Sequence, residues 1–138
     1  MVPNTFTDEE VDIARKYVLS QIRRYSRFKN GKKLGNPFVF YKDVLAQIGY
    51  YIESEHDGDR AGILAARISE AEFSEHGVLI GAVIVSQEYR RPGPGFYVFA
   101  EENGLFNCHG NADPDGAREL NFWDQHVTEI VRHYGRQR

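Results

Sequence analysis

A chain of 138 residues with 41% apolar and 13% aromatic residues carries enough apolar surface to fold as one domain, which excludes a disordered chain. No apolar run nears the ~18 residues that span a bilayer, the start Met1-Val2-Pro3-Asn4-Thr5-Phe6 lacks a signal peptide's basic and apolar pattern, and one cysteine, Cys108, rules out an internal disulfide. The net charge of −3 conceals a segregation, with nine basic and no acidic residues from Ile13 to Lys42, against eight basic and sixteen acidic from Asp43 to Arg138.

The lone cysteine fits a reducing compartment, so the expectation is a cytoplasmic protein that does not enter membranes. Local fields of this kind steer partners more than the total charge does.

In chain order, Thr7-Asp8-Glu9-Glu10 reads as a capping box, with acids near the positive end of the helix it starts. That helix is predicted to run to about Phe28. Val11, Ala14, Val18, Ile22 and Tyr25 recur every three or four residues as its buried stripe, and Arg15, Lys16, Arg23, Arg24 and Arg27 fall mostly off it. Residues 30–37 read as a loop. Tyr41 to Ile48 reads as a short helix stopped at Gly49, and Glu53 to Asp59 as an acidic turn. A helix from about Arg60 to Ile68 is expected to bury Ile63, Leu64 and Ile68, with Ser69 capping a further turn to Gly77.

The continuous apolar run Val78 to Val85 reads as a buried strand. It breaks at Arg90-Arg91-Pro92-Gly93-Pro94-Gly95 into a stiff turn that sets two arginines at its mouth. For residues 96–103 two readings stand: Phe-Tyr-Val-Phe favours a returning strand, Ala-Glu-Glu-Asn-Gly a helix end. A last helix from about Gly116 to Tyr134 is expected to bury Leu120, Trp123, Val127, Ile130 and Tyr134. The whole is a single α+β domain over 1–138, mostly helical, with a small two- or three-stranded β element. Its parts are a basic helix at 7–28, helices with strand and turn at 39–104, and a final helix at 116–134. The order helix, turn, helix, strand from Val39 to Val85 is compatible with a winged helix-turn-helix, with Arg60 and Arg67 near the recognition helix and Arg90-Arg91 at the wing.

The functional expectation is a non-enzymatic module that binds an anionic partner, nucleic acid first. Arg23, Arg24, Arg27, Lys29, Lys32, Lys33, Arg90 and Arg91 would neutralise phosphates, and the interleaved Tyr17, Tyr25 and Phe28 could stack on bases. The alternative is a protein-interaction module, of inhibitor or immunity type, that uses its acidic face. A third reading is a metal-dependent hydrolase or nuclease built on Glu53, His56 and Asp57. The cluster Glu53, Glu55, His56, Asp57 and Asp59 matches neither a calcium-loop nor a zinc spacing, so no metal, cofactor or catalytic residue is assigned. Cys108 has no basic neighbour in sequence to stabilise a thiolate and is expected to be a bystander.

Two resemblances accompany these readings. Phe40-Tyr41-Lys42-Asp43-Val44-Leu45-Ala46-Gln47-Ile48-Gly49 resembles the tyrosine-then-short-helix segment of alkyltransferase-like proteins that bind alkylated DNA. Their Pro-Cys-His-Arg nucleophile has no counterpart in Ile80 to Val85, and Asn107-Cys108-His109-Gly110 lacks its proline and arginine. More broadly, Tyr41, Gly62-Ile63-Leu64, residues 78–85, Pro92 to Phe96 and Phe122-Trp123 resemble the pattern of a family of small bacterial domains. That likeness spans about 39–125 and implies a domain, with no activity attached.

Overall fold

The computed structural model describes residues 2–25, 37–109 and 112–135, together with the backbone of 28–29 and 32–33. Helix α1, Asp8–Tyr25, starts on the predicted capping box: Glu10 N–H donates to Thr7 Oγ1 at 3.1 Å, and Thr7 N–H donates to Glu10 Oε1 at 2.9 Å. Val11, Ala14, Val18 and Ile22 are buried as their spacing predicts, but Tyr25, at the helix end, is exposed. Two-residue strands β1, Phe28–Lys29, and β2, Lys32–Lys33, pair antiparallel, so part of the expected 30–37 loop is a strand.

Strand β3, Val39–Phe40, feeds directly into helix α2, Tyr41–Ala46. Next comes α3, Glu55–His76, a single helix of 22 residues where the sequence suggested an acidic turn, a helix and a further capped turn. Its start is fixed by a local cap and by one bond from the distant N-terminal segment. Ser54 Oγ accepts from Asp57 N–H at 3.3 Å, while the buried Asp57 carboxylate accepts from Val2 N–H at 2.8 Å and Glu53 N–H at 2.9 Å. With those bonds made, Glu55 and Asp57 sit at the positive helix end rather than in a solvated turn. Ser69 is mid-helix, its hydroxyl donating to Ala65 O at 2.8 Å, which removes it as a cap. Gly77 ends the helix at φ 67°, its N–H bonded to Phe73 O at 2.9 Å, a conformation natural to glycine. Ile63, expected inside, is exposed.

The apolar run from Val78 is buried but is mostly not a strand. Ile80–Val83 forms a 3-10 turn, and only Ile84–Val85 is extended, as β4. An apolar run has no period with which to separate the two conformations. Compactness decides here: a Cβ on Gly81 would lie 2.6 Å from Ser69 Oγ, so the turn packs its backbone directly on α3. Strand β4 pairs in parallel with β3, Val39 opposite Ile84 and Phe40 opposite Val85.

After the Pro/Gly turn the chain enters α4, Pro94–Glu102, with proline in its first turn. Phe96, Tyr97 and Ala100 are its buried residues, a helical face that overrides the strand propensity of Phe-Tyr-Val-Phe. Residues 96–102 are therefore helix, and the returning strand of a wing is not formed there. Helix α5, Ala117–Gly135, buries Phe122, Val127, Ile130, Val131 and Tyr134. Leu120 and Trp123, expected inside, are half-buried. Trp123 stacks near Phe38, ring centroids 5.5 Å apart, and donates its indole N–H to Ala82 O at 2.7 Å.

Helix α3 is the central element. It packs against α1, α2, α4 and the 3-10 turn, while α5 packs against α1 and that same turn. The fold of the described residues is thus mostly helical with two small β pairs, one antiparallel and one parallel. No helix among the described residues is long and apolar enough to cross a membrane.

Candidate binding cleft

The cations expected to meet an anionic partner divide by their surroundings. Arg23 and Arg24 are exposed in the last turn of α1, with Arg24's guanidinium 5.5 Å from the Tyr25 ring centroid. Neither has a carboxylate partner among the described residues. Arg23 lies within electrostatic reach of Tyr134 near the end of α5. Arg27 lies outside the described residues, as do the side chains of Lys29, Lys32 and Lys33. Arg90 is exposed, at φ 58°, in a turn closed by Arg90 N–H to Ser86 O at 2.9 Å and Ser86 N–H to Arg91 O at 3.2 Å. Arg91 is committed: it pairs with Asp115 and donates to Pro114 O at 3.4 Å.

Other cations are also internally used. Arg60 donates to Val2 O at 2.7 Å, and Arg67 donates to Phe6 O at 2.9 Å and pairs with Asp8 at 2.8 Å. Both are tied to the segment before α1, which removes them from the recognition surface that a winged helix would use. Lys16 pairs with Asp12 on its own helix.

Arg15 belongs to a buried network that the sequence did not reveal. Its Nε donates to Glu72 at 2.6 Å and its Nη2 donates to Glu75 at 2.7 Å. Glu72 is fully buried and also accepts from the Tyr134 hydroxyl, so one carboxylate ties α1, α3 and α5 together. Burial first, and then Glu72, push the Tyr134 hydroxyl's pKa far up, which keeps it a donor. Glu72, Glu75 and His76 could bring three ligand atoms within 4.8 Å of one another. The Arg15 guanidinium already pairs with both carboxylates, so this cluster reads as an ion-pair network. Likewise Asp57 of the acidic 53–59 cluster is consumed by backbone N–H groups. Cys108 is buried, and Glu101 accepts from its backbone N–H at 2.5 Å.

On the face of α3 roughly opposite α1 lies a cleft of about 1250 Å³. Helix geometry makes the division: Arg60 and Arg67 meet the α1 side, and Gly58, Gly62, Ala66 and Ser69, at three- and four-residue steps, form the cleft floor. A Cβ placed on Gly58 or Gly62 meets nothing within 4 Å. One wall comes from Tyr41, Tyr51 and Ile52, and the other from the 86–95 turn with Phe96 and Phe99. Four of the large apolar side chains left in solvent line this space: Tyr51 and Tyr89, each 65% exposed, Ile52 at 42% and Ile63 at 41%.

Tyr41 joins the two walls. Its hydroxyl oxygen accepts from Gly93 N–H at 3.2 Å, and its own hydrogen has no acceptor among the described residues. Burial raises its pKa, against the lowering effect of the Gly93 bond, so it stays neutral and able to donate. Among the described residues the lining carries the carboxylates of Asp43, Asp59, Glu88 and Asp115 against the cations of Lys42 and Arg91, a balance of −2. Sequence reasoning placed Arg91 and the Pro/Gly turn at a functional mouth but missed the floor. Its signal was the spacing of Gly58, Gly62 and Ala66. No family model, curated protein or solved structure matches this chain.

Proposed function

We propose that this chain is a non-enzymatic binding module that captures a segment of another protein in the cleft along α3. The observation that carries this reading is the open floor over Gly58 and Gly62, walled by four exposed large apolar side chains. Contiguous apolar surface of that kind is costly to leave in water and marks interaction sites. Among the described residues the lining holds no histidine or cysteine, and its Ser69 hydroxyl is engaged with a helix carbonyl, which supports binding over turnover. Selection of a random peptide library on the immobilised chain tests the reading. Peptides should be enriched, and Gly62→Trp, which fills the floor, should abolish their binding while circular dichroism stays native. Failure to enrich any peptide, or peptides indifferent to Gly62→Trp, would remove it.

A second reading, with nucleic acid as the partner, is favoured by Arg23, Arg24 and Arg90, exposed cations without carboxylate partners among the described residues. Fluorescence anisotropy with single- and double-stranded oligonucleotides should then show binding whose logarithm falls with log salt by about 0.9 per phosphate neutralised on duplex DNA. Arg23→Gln with Arg24→Gln should flatten that slope. No binding at ~50 mM salt with protein in the usual non-specific range of roughly 1–100 μM would dismiss it.

A further inference from the structure

Resting on the cleft reading above, we infer that its occupant is a short peptide segment whose apolar side chains are flanked by lysine or arginine. Charge complementarity picks this class. The cleft is apolar at its floor and acidic around it, and three of its carboxylates, Asp43, Asp59 and Glu88, have no cationic partner among the described residues. Asp115 already holds Arg91. A polyanion entering this space would be repelled, and a purely apolar ligand would leave those charges unused; a cation-flanked segment meets both parts.

Floor length sets the size. From Gly58 to Ser69 α3 rises about 16 Å, at ~1.5 Å per residue, which is the reach of about five residues of extended chain at ~3.3 Å each. The missing side chains at Gly58 and Gly62 let the segment's backbone come close to the helix. The Tyr41 hydroxyl hydrogen supplies a donor for one of its carbonyls. Lysine or arginine at either end would then reach Asp43, Asp59 or Glu88, while apolar side chains meet Ile52, Ile63 and Tyr89.

The test uses peptides recovered by the library selection, resynthesised with a fluorescent label and titrated against the full chain. Expected are sequences with apolar centres and basic flanks. Their affinity should fall about three- to tenfold on Asp59→Asn with Glu88→Gln, two exposed positions, and should weaken with added salt. Selected peptides that need an open Gly62 but carry no excess of lysine or arginine would overturn the inference and leave the cleft reading intact. So would indifference to the Asp59 and Glu88 substitutions. No enrichment, or binding insensitive to Gly62→Trp, would overturn both. Direct binding of a labelled single-stranded oligonucleotide to the chain, lost in Gly62→Trp, would overturn them in favour of nucleic acid.

Discussion

Replacing Gly62 with alanine should make this protein more stable. Gly62 is the eighth residue of α3 and so lies within the helix, away from both ends. Glycine at such a position costs roughly 0.5–1 kcal/mol relative to alanine, because the unfolded chain has more freedom to lose. A Cβ there meets nothing within 4 Å, so alanine gains the backbone term with neither a clash nor a packing benefit. The expected gain is therefore about 0.5–1 kcal/mol, a rise in melting temperature of about 2–5 °C for a chain of this length. Urea denaturation followed by circular dichroism should show a higher midpoint at unchanged slope. Gly81→Ala supplies the contrast, since its Cβ would meet Ser69 Oγ at 2.6 Å; it should cost about 1–3 kcal/mol. Loss of stability in Gly62→Ala would refute the reasoning, because it would mean that the space above α3 is filled in the folded protein. If stability rises while peptide affinity falls, the glycine is kept for binding at the expense of the helix.

Glu72→Gln should destabilise by about 3 kcal/mol, since it leaves the Arg15 guanidinium without its buried counter-charge. Glu75→Gln, at an exposed position, should cost less than ~1 kcal/mol; equal costs in chemical denaturation would contradict the network described. Stability should fall in two stages on acidification. Burial holds the His126 imidazole below its ordinary pKa, against a raising effect from Glu129, so its contribution is present above about pH 6.5 and fades as pH falls through the folded value. Backbone N–H groups of Val2 and Glu53 hold the Asp57 carboxyl low, so its contribution is present above about pH 4 and fades below that. Melting temperature against pH should lose the first stage in His126→Gln and the second in Asp57→Asn; unaltered profiles would reject the assignments. Trp123→Phe removes the donor to the buried Ala82 carbonyl and should cost about 1–3 kcal/mol, and a cost under ~0.5 kcal/mol would show that water replaces the indole.

What the sequence disclosed was local. The capping box at Thr7 and the stripe of α1 could be read because every interaction involved lies within four residues. Val127, Ile130 and Tyr134 of the α5 stripe were visible for the same reason, while Leu120 and Trp123 are only half-buried. The start of α3 was only partly hidden: its Ser54–Asp57 cap is local, but Asp57 is also satisfied by Val2, 55 residues away, and without that bond a run of acids resembles a solvated turn. The 3-10 turn was hidden because an apolar run carries no period. Pairings between cations and distant acids were hidden for a related reason. Arg15, Arg67 and Arg91 find their partners at Glu72, Asp8 and Asp115, and such pairings do not show in a linear charge pattern. The cleft was half-legible: its arginine-bearing turn stood out, but the small residues of α3 gain meaning only once α1 is known to cover the other face.

The parallel seam between β3 and β4 has a kinetic consequence. It joins Val39 to Ile84, 45 positions apart, whereas the helices between them can form from near neighbours. Closing that loop is an entropic cost that grows as roughly (3/2)RT ln n. The seam is therefore expected to close late, and its buried amides to exchange with solvent only on global opening. Tyr41 leaves the end of one strand and Ser86 the end of the other, so the same two-residue zipper sets both lips of the cleft side by side. A chain with every helix formed but this seam open has no mouth, and any ligand that enters one must stabilise the entire fold rather than a loop, by RT ln(1 + [L]/Kd).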